Sequence, residues 1–109
     1  MHEQHRARRG HRFFPTEADA LPALYETDGQ GRQAVARVRY FGPGASQWII
    51  TEYDPTSGEA FGYCELFAGG GELGYVSLVE LEQVQVGPLR QVVERDLHFQ
   101  PAPLEAIIL

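Results

Sequence analysis

The stretch at residues 69–82, GGGELGYVSLVELE, constrains the fold of this chain more than any other. Three glycines supply a turn, residues 73–76 read as a short strand, and Ser77 opens a helix. Ser77 and Glu80 have the S-x-x-E spacing of a capping box, in which the serine oxygen accepts from the Glu80 amide. Leu78, Leu81 and Val84 then fall near one helical face, and Glu80 and Glu82 lie near the positive end of the helix dipole. Gly87-Pro88 is the stop signal that keeps this helix short. A glycine-rich loop leading into a helix is also the layout of a phosphate cradle. Here no Gly-Lys-Ser/Thr follows, and Glu72 repels an anion, so a hairpin turn is the expected use of the glycines.

The chain before this stretch reads as β-hairpins. Residues 34–41 form the first expected strand, with Val35, Arg37, Arg39 and Phe41 on one face and Ala36, Val38 and Tyr40 on the other. Gly42-Pro43-Gly44 is a turn. Residues 47–53 form the second strand, with Trp48, Ile50 and Glu52 on one face and Ile49, Thr51 and Tyr53 on the other. Asp54-Pro55-Thr56-Ser57-Gly58 is a turn whose Asp, Pro and Gly sit where a tight reversal needs them. Residues 59–67 form the third strand, and Gly62 within it marks a bulge or the close approach of a neighbour. With residues 73–76 as the fourth strand, the expected architecture is α+β: an antiparallel meander of four to five strands with short packing helices. Upstream, Thr16 caps a short helix over residues 17–20, Pro22 ends it, and Leu21, Leu24 and Tyr25 pack inward. Downstream, residues 83–86 extend away or pair briefly, Val92, Val93 and Leu97 offer a last edge strand, and residues 104–109 dock as an apolar terminal turn.

Charge divides the chain in two. The chain has 109 residues, of which 43% are hydrophobic, enough for one globular domain with a modest core. Residues 1–12 hold four arginines against Glu3, a formal +3, whereas residues 13–109 hold five arginines against fourteen carboxylates, a formal −9. The first segment also holds His2, His5 and His11 and has no apolar period, so it is expected to be a flexible basic arm ahead of a single domain at 13–109. Phosphate-backbone contact through Arg6, Arg8, Arg9 and Arg12 is the alternative use of that arm. Metal binding is not expected, because no carboxylate or cysteine cluster joins the histidines. The acidic body argues against a nucleic-acid face on the fold itself. It serves solubility, or it meets a basic partner, including a protein that normally binds DNA. The basic start has no apolar segment of the kind a secretory signal needs, and Cys64 is the single cysteine, so a cytoplasmic protein is expected.

No set of residues fills the roles of nucleophile, base and stabiliser, so neither catalytic residues nor a cofactor are expected. Ser77 lacks a G-x-S-x-G setting and is explained by its cap. Cys64 reads as a small buried hydrophobe, and His98, the one histidine of the folded region, reads as a half-buried structural residue in preference to a base. The aromatic residues Trp48, Tyr53, Tyr63 and Tyr75 sit beside acids on the strands. They either fill the core, the favoured reading for Trp48 and Tyr75, or anchor a partner. The candidate partner-binding residues are therefore Trp48, Glu52, Tyr53, Asp54, Glu72 and Tyr75.

A series of short motifs carries a resemblance. It runs through Leu21-Pro22-Ala23-Leu24-Tyr25, Tyr40-Phe41, Trp48 with Thr51-Glu52-Tyr53-Asp54-Pro55, and Ala60-Phe61-Gly62 with Cys64. It continues through Glu72-Leu73-Gly74-Tyr75-Val76-Ser77-Leu78, Glu80-Leu81-Glu82, and Val93-Glu94-Arg95-Asp96-Leu97-His98-Phe99. In this order they resemble the bacterial domain-of-unknown-function family 2958, over about residues 13–107. The resemblance implies a small accessory protein of plasmids and integrated mobile elements, with no catalytic residues to carry over. The expected function is a non-catalytic protein-interaction module that binds a host or element-encoded protein. In its sharper form it is a counter-defence inhibitor, of the anti-CRISPR or antirestriction kind, whose acidic body occupies a basic nucleic-acid groove. The alternative is a nucleic-acid-binding accessory protein using the arginine-rich arm.

Overall fold

A computed structural model describes residues 1–108. Its elements in chain order are α1 (Arg6–Arg9), β1 (Val35–Ala36), β2 (Val38–Phe41), β3 (Gln47–Tyr53), β4 (Glu59–Glu65), β5 (Gly71–Ser77), α2 (Leu78–Gln83), β6 (Gln85–Val86), β7 (Gln91–Val92), β8 (Glu94–Arg95), β9 (Ala102–Pro103) and α3 (Leu104–Ile107). The main sheet has five antiparallel strands in the order β5-β4-β3-β2-β8. The fold is α+β, and β2 to β5 form the meander that the turn residues encode. Two small ladders, β1 with β9 and β6 with β7, complete it.

Both faces of the sheet are covered, and the sequence supplies a different cover for each. On one face Val38, Tyr40, Trp48, Ile50, Tyr53 and Ala60 pack against Phe13, Phe14, Leu78, Leu81 and Val93. Phe13 stacks on Tyr40 with ring centroids 4.4 Å apart, and the Tyr40 hydroxyl donates to the Phe13 carbonyl at 2.6 Å. On the other face Ala36, Ile49 and Tyr63 pack against Leu104 and Ile108, so the apolar C-terminal turn docks on the sheet. Helix α2 begins where the Ser77 hydroxyl accepts from the Glu80 amide at 3.2 Å. It ends at Gln83, four residues ahead of the Gly87-Pro88 stop, because Val84 turns extended and leads into β6.

The structure revises the strand alternation at two points. The stretch at 34–41 is broken at Arg37, so Ala36 joins one core while Val38 and Tyr40 join the other. In β3 the pairing with β4 shifts between Ile50 and Glu52, a bulge that adds Thr51. The extra residue turns Glu52 onto the face of Phe61 and returns Tyr53 to the core of Trp48 and Ile50. Gly62 makes this possible: a Cβ there would stand 2.0 Å from the Ile49 carbonyl oxygen.

Residues 1–12 depart furthest from expectation. They pack on the domain instead of forming a flexible arm. Arg9 is 7% exposed, with Nη1 on Glu82 Oε2 at 2.5 Å, Nη2 on the Glu82 carbonyl at 2.7 Å and Nε on the Val93 carbonyl at 2.6 Å. The Gln4 and His5 amides both donate to the Glu82 carboxylate at 2.9 Å, and the Phe13 and Phe14 amides donate to Glu3. Glu82, buried in the last turn of α2, is an anion that a basic segment must cover. Charge counting along the chain cannot show that pairing, which spans 73 residues.

Candidate functional site

Strand β5 is the exposed edge of the main sheet. All seven of its residues pair with β4, and nothing pairs with its other side among the described residues. Such an edge presents unpaired amides and carbonyls to another chain. The opposite edge, β8, is only two residues long.

The β3 bulge builds a second feature beside this edge. Glu52, 2% exposed, accepts from the amides of Tyr25 and Thr27, each at 2.8 Å, and from the Thr27 hydroxyl. A buried carboxylate thus holds a loop that otherwise has little structure. The loop is strained, because Tyr25 has φ +74°, a conformation that costs a non-glycine residue about 1–3 kcal/mol. The strain turns Tyr25 outward, 60% exposed, with its ring 6.1 Å from that of Tyr75. Tyr75, 50% exposed, packs edge-on against Phe61 at 4.8 Å. Three aromatic rings therefore stand together on one face of the β4–β5 edge.

On the other face of that edge a groove of about 520 Å³ runs past Trp48, Cys64, Leu66, Phe67, Glu72 and Val76. Leu66 and Phe67, at the tip of the β4–β5 hairpin, are each 67% exposed. Burial, with the nearby Glu72 carboxylate, pushes the Cys64 thiol up to about 11, which keeps it protonated and unreactive at neutral pH. Residues 40–89, which include β4 and β5, contain seven carboxylates and no lysine or arginine, although Arg32 reaches over the Tyr63 ring of β4. The Tyr75 phenol is held above its ordinary range by partial desolvation, by Tyr25, and by the Asp28 and Glu52 carboxylates.

The six candidate partner residues separate into two groups. Trp48 and Tyr53 belong to the core, at 7% and 6% exposure. Glu52 is buried beneath the Tyr25 loop, and Asp54 organises its own turn through the Thr56 amide at 2.9 Å and the Ser57 hydroxyl at 2.8 Å. Asp54 is partly exposed, whereas Glu72 and Tyr75 are exposed and lie on opposite faces of β5. Tyr75 is thus half exposed, where the favoured sequence reading put it in the core. The structure adds Tyr25, which the sequence reading turned inward; no side-chain pattern at 21–25 announces its left-handed backbone. Of the four arginines, Arg9 is buried on Glu82, and Arg8 donates to the Leu89 carbonyl of the β6–β7 hairpin. Arg6 and Arg12 line one groove of about 520 Å³ with Tyr53 and Pro55.

Among the described residues no group of three or more His, Cys, Asp or Glu side chains is placed to hold a metal ion. No described helix is long and apolar enough to cross a membrane. No match was found among curated proteins or among solved structures. A family profile described as "Protein of unknown function (DUF2958)" matches residues 16–106, which takes in every strand of the sheet, the Tyr25 loop and the β5 edge. The chain therefore belongs to the DUF2958 family of proteins of unknown function.

Proposed function

We propose that this protein is a non-catalytic interaction module that binds a protein partner along the β5 edge. The observation that supports it most is the Tyr25–Tyr75–Phe61 cluster beside an unpaired seven-residue strand. Backbone pairing to a free edge gives affinity, and flanking side chains give specificity. Tyrosines are strong anchors because they bring large area at low entropic cost. Strain at Tyr25 fits pre-organisation of such an anchor. The surrounding carboxylates select a basic partner and repel nucleic acid. In the cellular setting that the family resemblance implies, the partner is a host or mobile-element protein in the cytoplasm. A nucleic-acid-binding defence complex, whose basic groove the acidic edge would fill, is the sharper form of the proposal. Replacing Tyr25 and Tyr75 together by alanine is expected to weaken partner capture about 30-fold or more, since two anchors are worth about 1–2 kcal/mol each. Unchanged capture by a folded double variant would sink the reading.

The nucleic-acid alternative rests on Arg6 and Arg12, which share one groove. With two phosphate contacts the logarithm of affinity falls with that of salt at a slope of about −1.8, against about −3.6 for four. A titration of double-stranded DNA at several salt concentrations measures that slope, and no binding at low salt removes the alternative.

A further inference from the structure

Strand β5 pairs with β4 so that Gly74 stands opposite Gly62, Glu72 opposite Cys64 and Val76 opposite Ala60. These residues share one face of the sheet, since positions two apart on a strand point the same way. Facing glycines leave a gap in that layer of side chains, and the two are not equivalent. A Cβ at Gly62 would stand 2.0 Å from the Ile49 carbonyl oxygen, whereas one at Gly74 meets nothing within 4 Å. The free space therefore lies over Gly74, on the strand whose outer side is unpaired, and it belongs to the groove past Trp48, Cys64 and Phe67. Glu72 is the single charged side chain lining that groove, and no basic side chain lines it among the described residues. Glu72 has no ion pair among the described residues, while Glu65 on the same hairpin accepts from the Gln47 side chain at 2.9 Å and the Gly69 amide at 3.2 Å.

Resting on the edge reading above, we propose that β5 takes an extended segment of another protein that carries an aromatic and a basic side chain two residues apart. In an added strand, the residue opposite Gly74 projects onto the face that holds the gap. An aromatic ring there covers the glycine, as cross-strand aromatics do for edge glycines in sheets. The residue two positions along stands opposite Glu72, and an arginine or lysine there supplies the charge that this apolar groove lacks. Backbone pairing gives affinity to any extended chain, so this pair of side chains sets register and choice of partner. A second copy of this chain does not fit. Strand β5 has no basic residue to meet Glu72, an antiparallel pair centred on Gly74 would set glycine against glycine, and each copy carries a formal −6.

Selection from a phage-displayed library of random linear peptides on the full chain, followed by affinity measurement with the selected peptides as synthetic molecules, tests the assignment. The selected peptides are expected to share an aromatic and a basic residue two apart. Gly74→Val fills the gap from within, at a position with room for it, and is expected to weaken these peptides at least about tenfold. Glu72→Arg is expected to weaken them by a similar factor, and to regain affinity for a peptide whose basic residue is exchanged for glutamate. Peptides that lose affinity with Tyr25→Ala and Tyr75→Ala, yet lack the spacing and bind Gly74→Val and Glu72→Arg as they bind the native chain, would overturn this proposal and leave the edge reading standing. Peptides that all bind elsewhere, indifferent to all four substitutions, would overturn this proposal and count against the edge reading too. If either β5 variant does not fold, the spacing among peptides selected on the native chain decides, and its absence would be fatal.

Discussion

Single atoms decide much of this structure. At Gly62 any side chain meets the Ile49 carbonyl, whereas a Cβ at Gly74, the next glycine across the sheet, meets nothing within 4 Å. Gly62→Ala is therefore expected to cost about 2–3 kcal/mol or to prevent folding, and Gly74→Ala to stay within about 0.5 kcal/mol of the native chain, both read from urea unfolding. Glu82 makes a second prediction. Burial alone would raise its carboxyl, but the Gln4 amide, the Arg9 guanidinium and the His5 amide outweigh burial and hold it below the ordinary range. A carboxyl depressed by folding stabilises fully above its unfolded value, here 4.5, and the stabilisation is lost as pH falls through the folded value. At pH 7 Glu82→Gln is expected to cost about 3–5 kcal/mol, because Arg9 is left buried without its anion. That difference should close as the solution is acidified below pH 4.5, and a pH-independent difference would refute the linkage. Glu52→Ala removes the acceptor that holds Tyr25 and Thr27. It is expected to cost about 1–3 kcal/mol and to release the Tyr25 loop, seen as faster hydrogen exchange at those two amides.

At the scale of elements, local signals were legible where one residue type has one physical use. The Ser77–Glu80 spacing places a helix start, Gly42-Pro43-Gly44 and the 54–58 segment place turns, and β3 runs over the same residues that its apolar run indicates. Ser77→Ala is expected to lower stability by about 1 kcal/mol, measured by thermal unfolding, because one helix amide loses its acceptor. What could not be read depends on partners distant in sequence. Strict alternation assigned Glu52 and Tyr53 to the wrong faces, because a bulge adds a residue that only its neighbour across the sheet reveals. Alternation likewise hid the break at Arg37, which exists because β1 leaves the main sheet to pair with β9. The N-terminal segment was illegible for the same reason. Its lack of apolar period indicates a tail, yet its binding site is a buried carboxylate on α2. Removal of residues 1–12 is expected to destabilise the domain markedly, with loss of the protected state of α2, whereas a free tail would leave the melting temperature unchanged.

Over the whole molecule, charge and edges are arranged together. Arginines occur at both ends of the chain, on α1, around Arg37 and at β8, and none falls within the 40–89 segment that forms β3, β4, β5 and α2. These four elements contribute no positive charge of their own, and they include the single long unpaired strand among the described residues. Of the six residues named from the sequence, Glu72 and Tyr75 are exposed on β5, and the exposure of Tyr25 was not legible because its position depends on Glu52. The central claim is that this edge binds a protein. The most direct test places a photo-crosslinking residue at position 75, with an equivalent at exposed Val35 as control, in nuclease-treated lysate of the native cell. The account predicts one stoichiometric protein cross-linked at position 75, absent at position 35 and lost when Tyr25 is replaced by alanine. No protein adduct at position 75, or the same adduct at both positions, would contradict it.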